Sequence, residues 1–405
     1  MKTNSPQSKH GFIPPWLMLL AALTAIGSLS IDMYLPSFPA IAADLGVGAN
    51  QVQLTLASFL VGLAVGQLFY GPFSDRYGRK PPLYFAIGLY LLASLACIFA
   101  QDIETIIVLR FFQGLGGCGG FVISRAAIRD KMGAEGAAHA YSLMMLVFGL
   151  APILAPLFGG FVLTLWGWRA IFVSLTIFAA ACMVAMHYVM EESLDPQHAR
   201  PLQLGRVCRQ YWDLLHDKQF MSYALCGGLA QAGLFAYIAG SPHVLIELHG
   251  IPAQYYGLVF GSNAIGLITA SQINARLVKK QPLERILKYT LTMAAGVSLI
   301  SAIAVAAGVN SLPLLLIGLF LYLSSYGMIS PNAIAMVLKY QGKQAGTASA
   351  LAGTLQFALG VVSGVSMSLW QNDSALPLTS VMAFCGVSAL ALYHLVARKQ
   401  QPAAH

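Results

Sequence analysis

The sequence predicts an all-α membrane protein of twelve transmembrane helices in two six-helix bundles, with both termini in the cytoplasm. Three observations carry this. Of 405 residues, 57% are hydrophobic and only 9% charged, against about 25% charged in a soluble domain, so water cannot be the solvent for most of the surface. The apolar residues arrive in runs of about 20, the helix length that crosses a bilayer core about 30 Å thick. The basic residues collect in alternate loops, as the positive-inside rule requires of a polytopic chain.

Taken in order, the runs lie at about 15–37, 51–72, 81–100, 105–127, 140–164, 169–190, 219–246, 253–275, 286–307, 313–338, 346–369 and 376–396. Lys2 and Lys9 before the first run, with Ala40-Ile41-Ala42 beyond it, imitate a secretion signal. The run is too long for a signal core of about 7–15 residues, so it reads as the first span. The longest polar stretch, Glu191 to Lys218, follows the sixth run and contains Asp195, Pro196, His198, Arg200 and Pro201. It divides the chain into a cytoplasmic tail (1–14), a first bundle (15–190), a cytoplasmic central loop (191–218), a second bundle (219–396) and a C-terminal tail (397–405).

With twelve spans both ends share one side. If that side is the cytoplasm, all of the 23 basic residues except Arg110 and Arg169 fall in inner segments. A missing or misplaced span would invert every later loop and scatter them. The net charge of +8 is spread over seven inner segments, so it forms no nucleic-acid surface. The six cysteines, Cys97, Cys118, Cys182, Cys208, Cys226 and Cys385, show no metal-binding or disulfide spacing.

The informative residues are those that violate the solvent. An ionisable group in a span costs at least ~2.5–3.5 kcal/mol at mid-bilayer, so it faces a cavity or a partner. Asp32 lies near the outer end of the first span and Arg110 about five residues into the fourth, which runs inward; at about 1.5 Å per residue the two share a depth and can pair. Burial favours a protonated carboxyl and a nearby guanidinium an ionised one, so relative motion of the two helices loads and releases a proton. A static salt bridge locking the two spans together is the competing reading. The fourth span continues with five glycines between Gly114 and Gly120, and Arg110, Gln113, Gly117 and Gly120 share one helical face. Such a smooth face permits close packing, sliding, or both.

Between the second and third spans stands Gly71-Pro72-Phe73-Ser74-Asp75-Arg76-Tyr77-Gly78-Arg79-Lys80. Asp75 can accept from Arg76 or Arg79 and tie adjacent helices on the cytoplasmic side. This decapeptide resembles, at every defined position, the G-x-x-x-D-R-x-G-R-[KR] loop motif of the major facilitator superfamily. Leu109 to Gly120 resembles the span-four motif of that family. Gly149 to Gly160, with Pro152, Pro156 and Gly159, resembles its antiporter motif, Ala155 replacing the usual Gly. More narrowly, Ser30 to Pro39, Trp168-Arg169-Ala170-Ile171-Phe172 and Ala345 to Thr354 resemble the Bcr/CflA branch of bicyclomycin-resistance and phenicol exporters.

The resemblance implies alternating access and drug/proton antiport in the bacterial inner membrane, with Asp32 and Arg110 as the proton-coupling pair and Gly71, Asp75, Arg76, Gly78, Arg79 and Lys80 as a cytoplasmic gating loop. It implies a monomer that needs lipid, protons and a small-molecule substrate, driven by the proton gradient with no cofactor, metal or nucleic acid. The loop motif of the second half has decayed to Asn274-Ala275-Arg276-Leu277-Val278, so the cytoplasmic latch is expected to be asymmetric.

Substrate is expected between the halves near mid-membrane. Polar or aromatic residues within spans that could line such a site are Tyr34, Gln113, Met144, Gln231, Phe235, Tyr237, Asn263 and Gln356, and each could equally be a packing residue. Their aromatic, weakly charged character suits neutral or amphipathic compounds. A proton-coupled carrier of a metabolite such as a nucleoside or sugar remains open. A membrane-embedded enzyme needs a cluster of acids, histidines or a nucleophile with its base, and neither HExxH nor GxSxG occurs.

Overall fold

A computed structural model of the chain describes residues 14–195, 204–339, 341, 344–370 and 373–397; within these, the side chains of 133–139, 141–149, 204, 396 and 397 lie outside the description. The described chain is helical throughout. α1 (Pro15–Asp32) is followed by a 3₁₀ turn (Leu35–Ser37) and α2 (Phe38–Leu45), then α3 (Ala49–Tyr77), α4 (Lys80–Ile98), α5 (Ile103–Trp166) and α6 (Arg169–Val189). α7 (Leu204–His216) precedes α8 (Lys218–Pro242), which ends in a π-helical turn, and α9 (Ala253–Leu277), α10 (Leu283–Ala306), α11 (Leu312–Leu338), α12 (Ala345–Leu369) and α13 (Leu376–Leu392) complete the chain.

Among the described residues ten helices are long and apolar enough to cross a membrane, and Leu150–Trp166 adds a shorter apolar one. Their outward faces carry large apolar groups that water would not tolerate: Leu369 is 82% exposed, and Phe85, Phe99 and Ile300 are also exposed. Caps begin the helices where the sequence supplies them. Asp102 accepts from Thr105 N (2.7 Å) at the start of α5, and Asp217 accepts from Gln219 N and Phe220 N at the start of α8.

Two boundaries differ from the sequence expectation. The first span does not run unbroken over 15–37: α1 stops at Asp32, and the apolar helical stretch resumes to Leu45. Pro36 and Pro39 each remove a backbone donor and disfavour helix in the residue before them, which breaks the helix just beyond Asp32. The fourth and fifth spans are not separated by a loop; helical backbone continues from Ile103 to Trp166. A straight helix would place Arg110 and Gly159 about 74 Å apart, yet Arg110 bonds Ser30 and Gly159 abuts Met33. α5 therefore turns back on itself between Gly120, which packs on Leu23, and Ile153, which packs beside Gly261.

In the first half α5 packs against α1, α3 and α4, and α6 against α4 and α1; in the second, α13 packs against α8 and α10, and α11 against α9, α10 and α8. The halves meet along two seams. One joins α3 to α12, where Ser368 Oγ donates to Asn50 O (2.9 Å) and Thr354 Oγ1 to Ala64 O (3.2 Å). The other joins α5 to α9, where Gly257 and Gly160 let backbones approach at Leu157 and Ala253.

Candidate functional site

Arg110 is fully buried on α5. Its guanidinium lies between the rings of Tyr34 (4.5 Å) and Phe59 (4.3 Å), a cation–π sandwich. Nη1 donates to Gln113 Oε1 (2.5 Å) and to Ser30 O (3.1 Å). The Ser30 carbonyl is available because the break after Asp32 redirects Tyr34 N to Ile31 O. Arg110 thus caps the carbonyl end of α1, where the helix dipole is negative. Gln113 Nε2 donates onward to Ser94 Oγ (2.7 Å), and Ser30 Oγ bonds Tyr90 Oη (2.6 Å), so one polar network ties α1, α4 and α5 together. Nε and Nη2 of Arg110 have no hydrogen-bond partner among the described residues.

Asp32 is also buried, 4% exposed, as the last residue of α1. The predicted depth match is present, but among the described residues no ion pair joins it to Arg110. Rotation about the helix explains this. Ser30 points at Tyr90 in the first half, and a residue two positions on lies about 200° around the axis. The Asp32 side chain instead lies on the side of the Tyr237 and Tyr256 hydroxyls, in α8 and α9 of the opposite half. Those hydroxyls are themselves fixed: Tyr237 Oη accepts from Asn263 Nδ2 (2.9 Å), Tyr256 Oη pairs with Ser241 Oγ (2.7 Å), and Tyr237 stacks on Phe260 at 5.3 Å.

The residues expected to line a substrate site fall into three places. Tyr34 and Gln113 belong to the Arg110 network, Tyr34 Oη bonding Thr55 Oγ1 at 2.9 Å. Tyr237 and Asn263 belong to the cluster facing Asp32. Gln231 accepts from Tyr326 Oη (2.8 Å), Phe235 packs on Phe357, and Gln356 lies against Gly227 and Gly228, all in the second half. The Met144 side chain lies outside the described residues. Ser30, Phe59, Tyr90, Ser94, Tyr256 and Tyr326 were not anticipated. Small hydroxyls and aromatic rings in an apolar span give no sequence signal until their neighbours across the bundle are known.

On the loop between α3 and α4, Arg79, 2% exposed, chooses two carboxylates. It donates to Asp75 Oδ1 (2.6 Å) and Asp130 Oδ2 (2.7 Å), and also to Ser74 Oγ. Gly78 adopts φ +90°, a left-handed conformation, and a side chain there would run into Glu192, whose carboxylate accepts from Arg79 N (2.8 Å) and Lys80 N (3.0 Å). Asp130 and Glu192 complete a latch of which the loop motif supplies only one side. Burial works against the Glu192 carboxylate, but backbone N–H groups of Arg79, Leu194, Lys80 and Ser193 outweigh it and hold the group below its ordinary 4.5. Because the folded value is depressed, its stabilisation is complete above about 4.5 and lost as pH falls through the folded value. Glu192→Gln is expected to lower stability at pH 7 by about 1 kcal/mol and to flatten the acid-side decline of the unfolding temperature in detergent.

Among the described residues the second half shows no counterpart of the Asp75–Arg79–Asp130 cluster, though Lys339 pairs with Glu284 at 3.1 Å. Its counterpart region holds a buried amide pair, Asn332 Nδ2 donating to Asn274 Oδ1 at 2.7 Å. On the opposite side of the bundle Asp44 accepts from Trp168 Nε1 (3.0 Å) and Arg169 Nη1 (2.7 Å), which gives the exceptional outer arginine a partner. In the antiporter-type stretch, Pro152 and Pro156 lie within α5, while Gly159 and Gly160 allow contact with Met33 O and Ala253 O. The side of Gly149 falls outside the description.

Apolar helices of membrane-spanning length, with Asp32 and Arg110 buried among them, define a multi-pass membrane protein. The Major Facilitator Superfamily profile matches residues 20–365, and the chain belongs to that family. It is 36% identical to the uncharacterized MFS-type transporter YdgK of Bacillus subtilis, over 93% of this chain and 94% of that one. It is 33% identical to a bicyclomycin resistance protein homolog of Haemophilus influenzae, over 97% and 98% of the two chains, which places it with the drug-resistance branch. A crystal structure of a D-xylose-proton symporter shares the fold with a TM-score of 0.74 at 16% identity, over 95% of this chain and 98% of that one.

Proposed function

We propose that the chain is a proton-coupled antiporter that exports small amphipathic compounds across the bacterial inner membrane by alternating access. The observation that carries it is Asp32, a buried carboxyl group at the junction of the two halves with no ion-pair partner among the described residues. Its charge state bears directly on the Tyr237–Tyr256 cluster opposite, so gaining or losing a proton changes how well the halves close. The similarity to a relative named for bicyclomycin resistance supports export of antibiotic-like molecules. The ten long apolar helices, Leu150–Trp166 and α9 make twelve crossings, with both termini cytoplasmic, bundles at 15–190 and 219–396, and 191–218 as the cytoplasmic connection. The protein works as a monomer without cofactor, the proton gradient being its energy source.

Reconstituted into liposomes with an imposed pH gradient, the protein is expected to move at least one chloramphenicol-type, bicyclomycin-type or sulfonamide compound with a matching change in lumenal pH. Substrate movement with no proton counterflow would rule out antiport, and exclusive movement of nucleosides or sugars would make it a metabolite carrier.

A further inference from the structure

α7 is amphipathic in an unusual way, because its apolar arc is only half used by the protein. On a helical wheel Leu214, Val207 and Tyr211 lead into Leu215, Cys208 and Trp212, while Arg206, Arg209, Asp213 and His216 occupy the other side. The first part of that arc is seated: Leu214 is buried and Tyr211 Oη donates to Leu68 O of α3 (3.3 Å). Beside it, Gln210 accepts from Thr347 of α12 (3.3 Å), so α7 touches both halves. The second part is uncovered: Trp212 is 63% exposed, Leu215 40%, and Cys208 is also exposed. Below Leu68, α3 carries a matching exposed strip, Phe69, Phe73 and Tyr77, spaced one turn apart. The apolar surface of the bundle therefore continues onto α7, and bases border it.

We infer that α7 lies in the headgroup region of the cytoplasmic leaflet, with Cys208, Trp212 and Leu215 inserted among the acyl chains and Arg206 and Arg209 against anionic phospholipid headgroups. Three features together fit this occupant: an exposed apolar stripe about 10 Å long, a tryptophan of the kind that sits at membrane interfaces, and arginines beside it that an anionic leaflet attracts. A soluble partner would have no reason to meet a stripe continuous with the lipid-facing wall. Because α7 contacts α3 and α12 at the inner end of one seam, the lipid surface gains a handle on the relative position of the halves.

The inference rests on the cytoplasmic placement of α7, which can be tested separately. Cys208 is exposed while the other five cysteines are buried, so the full-length protein labels there selectively. An impermeant maleimide should reach a cysteine placed on the polar side of α7, Asp213→Cys in a Cys208→Ser background, in inside-out vesicles and not in right-side-out ones; the reverse would overturn the orientation, not the docking. For docking, a nitroxide on Cys208 is read by power saturation in vesicles of phosphatidylethanolamine and phosphatidylglycerol, and again in pure phosphatidylcholine. In the anionic vesicles oxygen should relax the label more than a water-soluble nickel chelate does. Phosphatidylcholine, or the Arg206→Gln/Arg209→Gln variant, should raise chelate access roughly twofold. Chelate access that is high and the same in both lipids overturns the inference, as does dipolar broadening between labels, which would mean that a second copy covers the stripe.

Discussion

Asp32→Asn is expected to yield a protein that inserts, folds and purifies like its parent but builds no substrate gradient from an imposed pH gradient or potential. One proton moving through 100 mV supplies ~2.3 kcal/mol, enough for roughly 50-fold accumulation of a neutral solute; the variant should fall to a ratio of about one. Folding survives because the carboxylate holds nothing in place. Arg110 spends its Nη1 on Ser30 O and Gln113 Oε1 and lies between two aromatic rings, so neutralising Asp32 strands no cation that was previously paired. Asn preserves the volume beside Tyr237 and Tyr256 while removing the titrating group. The competing reading, a static salt bridge across the first and fourth spans, makes the opposite forecast: loss of folded protein, with normal driven transport in whatever survives. Gel-filtration profile and pH-driven uptake, measured on one preparation, separate the two.

The membrane class and most helix positions were legible because hydropathy and Lys/Arg placement report on solvent, and solvent acts on each residue separately. The latch was legible on one side only. Asp75 and Arg79 lie four residues apart and announce their pairing, whereas Asp130 and Glu192 reach the same arginine and its backbone from 51 and 113 residues away. Depth along a helix could be counted, and Asp32 and Arg110 do share it. Azimuth could not, because the proline-induced break after Asp32 decides which way the carboxylate faces and which carbonyl is left for Arg110. Candidate lining residues scattered for the same reason: polarity identifies a residue that needs a partner, but Tyr34, Gln113 and Gln231 found theirs within their own half of the molecule. The gap between the runs at 105–127 and 140–164 reads as a loop, yet the backbone of α5 stays helical through it.

The largest stability effect is expected at Gly114, and it should be accompanied by damage at Arg110. The five glycines between Gly114 and Gly120 are equivalent in sequence, one smooth stripe, but their surroundings differ sharply. A β-carbon at Gly114 would overlap the carbonyl oxygen of Phe59, and one at Gly62 would overlap that of Phe111, so α3 and α5 touch backbone to backbone at this level. At Gly117 the nearest atom would be Tyr90 Cδ2 at 3.6 Å, an ordinary contact. Gly114→Ala therefore forces two packed backbones apart, which should cost about 3 kcal/mol, while Gly117→Ala should be neutral or stabilising, since Ala is favoured over Gly in a helix by about 1 kcal/mol. Phe59 gives the Gly114 result a functional side. Its carbonyl is the atom that must retreat, and its ring is one wall of the Arg110 sandwich. Moving it withdraws that wall from a buried cation whose Nε and Nη2 have no other partner among the described residues. Thermal unfolding in detergent and pH-driven transport should fall together in Gly114→Ala and stay near parental values in Gly117→Ala. Equal effects at the two positions would mean that the stripe acts as a whole and that the α3–α5 backbone contact does not set the position of Arg110.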